Sequence, residues 1–442
     1  MKEPARIMMY AQDSYGLGHL RRTTNLANDL VMRRQDLSIL LVVDSPVAPF
    51  FELRGRIDFV KLPTLVKVAA GVFKPGQLLA NYDVVHTMRS TIIREVTRWF
   101  QPHVLLVDHM PGGANRELMP VLEMLRRDRL RTTMVLGLRD IIDDPEVTCP
   151  LWQREGVYET LEQYYDWVLI YGSPHVFPTA EKYRVPSPVS EKVLYCGYVC
   201  SLAPVKSPER VRAKLGLGGE PLVMVMAGGG ADAYRLMKTH LDAVDLLRGQ
   251  MSFATLMVTG PFMPEAQRAA LRKQAKSLGV KFHRSVGDTL SHLNAADLVV
   301  SMAGYNTVSE ILRFNKRAVI VPRAGPSAEQ TMRAELVAQQ GLARMLHPRE
   351  LSAARLADAL SAELSACCTA VRNGGPPLGG LSKACRVILS LVEDGSVRPG
   401  RLEARHALST APQSSVGADN LPLRANVSPT ALDVPSNRTP HR

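Results

Sequence analysis

Short runs of β-branched and aliphatic residues alternate with amphipathic stretches along most of the chain, and the alternation starts afresh near Leu222. Such a pattern favours parallel sheets covered on both faces by helices. Strands are expected near residues 7–10, 38–43, 104–107, 133–137, 167–170 and 193–196, then again near 223–226, 254–258, 280–282, 298–300, 318–321 and 343–346. Helices are expected between them, for example over 20–33 and 117–127. The simplest architecture is α/β: two tandem Rossmann-like, doubly wound domains facing a cleft, residues 1–200 and 201–394. Pro204, Pro208, Gly216, Gly218 and Gly219 suit a connection between them. A last amphipathic helix is expected over 381–392. Beyond Asp394 the apolar period gives way to Ser, Pro, Asn, Thr, Ala and Arg, so 395–442 is expected to be a disordered tail.

The length of 442 residues is ample for two buried cores, and 46% hydrophobic with 22% charged residues is ordinary for a globular chain. The net charge of +12 is uneven. Residues 1–200 carry 24 basic against 23 acidic side chains, whereas residues 201–442 carry 30 against 19. An anionic partner of the second half is therefore expected. The opening MKEPARIMMY has no apolar h-region, so no secretory signal is expected, and no apolar run approaches the roughly 20 residues of a membrane span. A cytoplasmic protein is expected, or one peripheral to the inner face of the membrane. Cys149, Cys196, Cys200, Cys367, Cys368 and Cys385 show no paired CxxC units and read as reduced thiols. Burial beside a strand explains Cys196 and Cys200 better than a shared metal.

Four stretches carry chemistry. The first strand runs into Asp13-Ser-Tyr-Gly-Leu-Gly-His19 and then a helix at Leu20-Arg21-Arg22. Gly16 and Gly18 allow close backbone approach to a ligand, and the helix N-terminus offers unpaired N–H groups to an anion. A tight turn with a surface histidine fits the same residues equally well. The third glycine of a dinucleotide fingerprint is missing, which counts against a nicotinamide enzyme. In the second half, Ala227-Gly-Gly-Gly-Ala-Asp232 follows a strand and precedes a helix, a phosphate cradle at the equivalent place. Ser301-Met-Ala-Gly304-Tyr-Asn-Thr307-Val-Ser-Glu310 turns from strand to helix with a carboxylate near its start, suited to ribose hydroxyls. Then Val321-Pro-Arg323 leads to Glu329-Gln330-Thr-Met-Arg333, a polar and cationic rim.

In order and spacing these motifs resemble the GT-B glycosyltransferases of family 28, especially the branch that adds N-acetylglucosamine to a lipid-linked peptidoglycan precursor and its uncharacterised relatives. The resemblance spans roughly residues 6–392 and is sharpest in the second half. It implies that Gly228, Gly229 and Gly230 face a nucleotide diphosphate, with Val286 beside the base. Gly304 makes the turn, Thr307 meets the phosphates, Glu310 holds the ribose, and Gln330 with Arg333 lies by the sugar. Gly16, Gly18 and Arg21 would bind acceptor or phosphate. Two departures stand out: Arg333 replaces an amide, and Arg21 and Arg22 replace the family's GHxxP continuation.

The activity implied is inverting transfer from a nucleotide-diphosphate sugar, UDP-linked first, to a hydroxyl acceptor, lipid-linked or polysaccharide. His19 is the candidate base, since imidazole titrates near working pH. Asp108 orients it or merely caps the next turn, and His109 is a second candidate base. The glycine loop, a helix dipole and Arg323 or Arg333 would neutralise the leaving group, so no cofactor or metal is expected, and no DxD-type pair is placed for Mg²⁺. Residues 66–73, with Lys61, Lys67 and Lys74, read as a lipid-facing patch or as an ordinary buried segment. Two rivals stay open. One is a sugar-nucleotide epimerase of the same fold; the other is a non-catalytic or nucleic-acid-binding protein. Scattered Lys and Arg and only 6% aromatics argue against nucleic acid.

Overall fold

Parallel strands buried on both faces need apolar side chains pointing both ways, and the first strand, Ala5–Ala11, obeys. Its Ile7, Met8, Met9 and Tyr10 are all fully buried, Ile7 and Met9 in one core and Met8 and Tyr10 in the other. The computed structural model describes residues 4–13, 17–69, 72–128, 131–366 and 375–395, which belong to one compact unit. Gly16, Cys367, Cys368 and nearly all of the expected tail lie outside the described residues.

The first half contains β1 (Ala5–Ala11), β2 (Leu37–Val43), β3 (Ile57–Lys61), β4 (Leu65–Ala69), β5 (Val72–Pro75), β6 (Val104–Asp108), β7 (Thr133–Arg139), β8 (Trp167–Tyr171) and β9 (Val193–Tyr195). Seven of these form a parallel sheet in the order β3-β2-β1-β6-β7-β8-β9. The second half contains β10 (Leu222–Met226), β11 (Ala254–Val258), β12 (Lys281–His283), β13 (Leu298–Ser301), β14 (Arg317–Ile320) and β15 (Arg344–Met345). These form a second parallel sheet, β12-β11-β10-β13-β14-β15. Strand order reverses at β1/β6 in one sheet and at β10/β13 in the other, and ligands of open α/β sheets bind at the carboxyl ends beside such switch points. The GxGH loop and Asp108 follow β1 and β6; the triple-glycine loop and Gly304 follow β10 and β13.

All twelve expected strands are present, with ends displaced by no more than two residues. Three strands were not expected. β3 is a half-buried edge strand whose apolar run is broken by Asp58 and Lys61. β4 and β5 form an antiparallel hairpin, with Leu65 opposite Pro75 and Val66 opposite Lys74. Leu65 and Phe73 pack beneath the hairpin with Val85, while Val68 and Val72 are exposed.

The last helix, Gly380–Glu393, differs in placement from a second-domain helix. Leu381, Ala384, Cys385, Val387, Ile388 and Leu391 join the core of the first half, alongside Ile7 and Met9. Lys383 Nζ donates to the Tyr195 carbonyl at 2.7 Å, and Arg33 donates to Ser382 Oγ at 2.9 Å. Its apolar stripe needs burial, and the helix Gly18–Arg33 (α1) supplies the surface. Cys149, Cys196, Cys200 and Cys385 are free and buried.

Ile388 is fully buried in that contact. Ile388→Ala should lower the unfolding free energy by about 2–5 kcal/mol, measured by urea denaturation, because the lost transfer energy adds to an unfilled cavity. A loss below about 1 kcal/mol would mean that the helix is not docked there in solution.

Candidate active site

The carboxyl end of β1 is held by a buried polar network. Asp13 N–H donates to Asp44 Oδ1 at 3.0 Å, and Arg89 bonds Glu117 through Nε and Nη2, both at 2.6 Å, and Gln12 Oε1 at 2.7 Å. Tyr10 OH donates to Glu117 at 2.6 Å. Every member is buried, so each charge depends on its partners rather than on water. Burial pushes the Asp44 carboxyl up to about 6 despite Arg89, and burial likewise raises Asp13 against the opposing pull of His19.

Asp13 in turn organises the start of α1. Its carboxylate accepts the N–H groups of His19, at 3.2 Å, and Leu20, at 2.5 Å, from residue positions six and seven beyond it. This serves the helix as a cap supplied from a distance. His19 then projects toward β6, where its Nδ1 lies 2.5 Å from Asp108 Oδ2. Arg22, one turn further along, grips the same carboxylate with Nε–Oδ1 at 2.9 Å and Nη2–Oδ2 at 2.7 Å. Burial favours the neutral acid at Asp108, but Arg22 and then His19 outweigh it and hold the carboxyl at about 2. Asp108 thus bonds both the imidazole and the guanidinium. An ionised carboxylate can only accept, so in this bond Nδ1 carries the proton. His109 stacks on His19 with ring centroids 5.0 Å apart.

Across the cleft, the turn after β13 places Gly304 before the helix Tyr305–Arg313, whose first turn has no side-chain cap. Thr307 and Glu310 are buried on it. Three contacts bring this helix to the start of α1. Asn306 Nδ2 donates to the Gly18 carbonyl at 3.0 Å, Arg21 Nη2 meets Glu310 Oε1 at 2.8 Å, and Arg22 lies over the Tyr305 ring at 5.4 Å. Glu310 is 2% exposed, and among the described residues its Oε2 has no hydrogen-bond partner. Burial raises its carboxyl above the usual range, opposed by Arg21 and Arg313.

In the triple-glycine loop Gly230 has φ +85°, and a Cβ there would sit 1.9 Å from the Thr259 carbonyl oxygen, so only glycine fits. Gly228, at φ +56°, is exposed with open space beside it, and Gly229 accepts from the Phe262 N–H at 2.8 Å. Asp232, closing the loop, pairs with Arg323. The Arg323 N–H donates to Gln330 Oε1 at 3.1 Å. Val286 is half-buried against the second core.

Arg333 has a different setting from a free sugar contact. It is 3% exposed, and its guanidinium bonds Glu329 at 2.7 Å, the Ala303 carbonyl at 3.1 Å and Asp140 of the first half at 3.1 Å. Arg139 reaches Glu329 at 2.7 Å from the other side. Sequence reasoning missed Asp13, Arg22, Asp140 and Glu329 as site-building residues. The clue available was charge at strand ends, next to loops already suspect.

Two parallel sheets with facing carboxyl edges, each bearing a loop-to-helix turn at its switch point, define the GT-B fold. Solved chains bear this out. A glycotransferase of kitacinnamycin aligns with TM-score 0.56 at 18% identity over 88% of this chain and 96% of that one. MurG of Acinetobacter baumannii aligns with TM-score 0.53 at 14% identity over 88% and 99%. Within that class, residues 222–373 match the Glycosyltransferase family 28 C-terminal domain. A UDP-N-acetylglucosamine--N-acetylmuramyl-(pentapeptide) pyrophosphoryl-undecaprenol N-acetylglucosamine transferase of Moorella thermoacetica is 32% identical over 195 residues, 42% of this chain and 52% of the relative. An uncharacterized glycosyltransferase of Methanopyrus kandleri is 27% identical over 41% and 49%. The chain thus spans about half the length of these curated relatives.

Burial raises the Glu329 carboxyl, but Arg139 and Arg333 outweigh it and hold it at about 2, below its ordinary 4.5. The ionised form is thereby tied to the fold, so its contribution is complete above about pH 4.5 and fades as pH falls through 2. Glu329→Gln should cost about 1–3 kcal/mol at pH 7 by urea unfolding, and the gap from the natural chain should narrow as pH falls below about 4.5. A gap that does not change with pH would count against the ion network.

Proposed function

We propose that the chain is an inverting glycosyltransferase that moves a sugar from a nucleotide diphosphate, UDP first, to a hydroxyl of a lipid-linked or polysaccharide acceptor. The observation that carries this is the His19–Asp108 pair, which joins the residues that follow β1 and β6 on either side of the first switch point. The acceptor hydroxyl gives its proton to His19 Nε2 as its oxygen bonds the anomeric carbon. The carbon–oxygen bond to the diphosphate breaks, and the bonding pair leaves with the diphosphate.

Gly228, Gly229 and Gly230, Thr307 and the uncapped N–H groups after Gly304 would receive the developing charge, with Arg323 beside them. Glu310 Oε2, buried and without a partner among the described residues, suits a ribose hydroxyl, and Val286 flanks the base. Gly18 and Arg21 border the diphosphate and acceptor. Gln330 keeps its amide NH₂ for the sugar, while Arg333, bonded through both Nη atoms to Glu329, the Ala303 carbonyl and Asp140, shapes the wall behind it. These assignments need no metal or cofactor. The +8 balance of residues 201–350, 20 basic against 12 acidic, fits an anionic donor. The Moorella relative's name specifies a UDP-sugar donor and a pyrophosphoryl-undecaprenol acceptor.

Among the described residues no helix is long and apolar enough to cross a membrane. The first half nevertheless exposes Val68, Val72, Leu78, Leu79, Val84 and Met88 around the β4–β5 hairpin and the start of the next helix, Tyr82–Phe100, with Lys74 alongside. Such a surface would seat the protein on the cytoplasmic face of an anionic membrane, near a lipid-linked acceptor.

Thermal shift against UDP, UDP-sugars and other nucleotide diphosphates tests the donor assignment, since a ligand at 100 times its Kd adds about 2.7 kcal/mol of stability. No shift with any of them would sink it. His19→Ala should cut turnover by about 10²–10⁴ while donor affinity, by calorimetry, stays near normal; undiminished turnover removes His19 from the mechanism. Glu310→Ala should weaken donor binding by about 1.5–3 kcal/mol, and unchanged affinity would refute the ribose contact.

A further inference from the structure

The grip of Arg22 on Asp108 departs from the resemblance that points to the base, and its geometry gives it a role of its own. Arg22 is 1% exposed. Its guanidinium makes a two-point fork on the Asp108 carboxylate, at 2.9 and 2.7 Å, while Nη2 also lies 3.0 Å from His19 Nδ1. With a proton on Nδ1, Nη2 cannot donate there as well, so it acts on the imidazole as a neighbouring positive charge. The plane of the fork is held between two rings, Tyr171 at 5.5 Å and Tyr305 at 5.4 Å. Arg333 lies 5.6 Å from the Tyr305 ring, and the Tyr305 oxygen accepts the Val199 N–H at 2.8 Å.

A carboxylate bonded to an imidazole does two things at once. It fixes the ring's orientation and tautomer, and it stabilises the imidazolium, so that the base tends to be protonated before any acceptor arrives. A guanidinium forked onto the same carboxylate cancels its net charge and leaves its hydrogen-bonding direction intact. We propose that Arg22 is a positioning residue that separates these two effects, holding Asp108 in place to orient His19 while offsetting the carboxylate's charge at the ring.

Among the described residues, the other groups facing His19 come from four elements. Asp13 at the end of β1 holds the His19 and Leu20 N–H groups, His109 at the end of β6 stacks on the ring, and Tyr171 and Tyr305 flank Arg22. Arg21, on the next position of α1, is committed to Glu310. Of the cations in this surround, Arg22 is the one bonded to Asp108. Because Tyr305 comes from the second half, the guanidinium's seat also depends on the contact between the halves.

The inference rests on His19 being the base, yet it can be tested without donor or acceptor. In the full chain with ¹⁵N-labelled histidine, the His19 signals are identified by their loss in His19→Ala, and the ring is then titrated. Arg22→Met should raise the His19 midpoint by about one unit or more, since the Asp108 charge is then uncompensated. A rise below about 0.3 unit, or a fall, overturns the proposal. If the Met variant does not melt cooperatively, Asp108→Asn decides. Removing the anion leaves the guanidinium alone beside the ring, so the midpoint should fall, and an unchanged midpoint overturns the proposal. With an active donor in hand, the acidic limb of kcat/KM in Arg22→Met should move the same way as the titration. Full turnover in His19→Ala would instead overturn the base assignment and leave the titration result standing.

Discussion

Arg333 is a guanidinium taken almost wholly out of water, and a buried cation persists only where anions and carbonyls replace its hydration. Its partners come from both halves of the chain: Glu329 from its own helix, the Ala303 carbonyl from the turn after β13, and Asp140 from the end of β7. Charge compensation therefore fixes how the two carboxyl edges meet. Apolar contacts follow the same seam, with Tyr305 in one core of the first half and Met332 and Leu336 against the other. Given that seam, the N-termini of α1 and of the Tyr305–Arg313 helix have to face each other.

What lies between those two N-termini is a set of charges arranged in pairs. Asp108 is held ionised by Arg22 and His19, whereas Glu310 is pushed toward its neutral form by burial and is only partly answered by Arg21. One carboxylate is thus fully committed and the other has an oxygen to spare. That asymmetry gives the two carboxylates different chemical settings within the same cleft. The Arg21–Glu310 pair also means that any ligand taking Glu310 meets a cation at the same moment.

Much of this was legible in the sequence. Apolar runs of three to six residues located twelve strands, because strands covered on both faces cannot hide polar side chains. Gly18 and Gly228 to Gly230 marked the turns that follow β1 and β10, and at Gly230 the clash with Thr259 explains why no other residue serves. The edge strand β3 and the β4–β5 hairpin were harder to see, since half-buried strands carry charges such as Asp58 and Lys74 that break the apolar signal. The last helix showed its amphipathic period but not its destination. A period says that a face must be buried and not against what.

Residue types and spacing determined the two-sheet architecture, the places of the glycine loops and the candidacy of His19 and Glu310, because periodicity and backbone freedom are local properties. Tertiary structure alone decided that Asp108 meets His19, that Arg22 clamps Asp108 from 86 positions away, and that Arg333 bonds Asp140 across the two halves. It also sent the helix Gly380–Glu393 back to the first half. These outcomes depend on which charges share a low-dielectric space, and partners brought together by folding leave no trace in their sequence spacing.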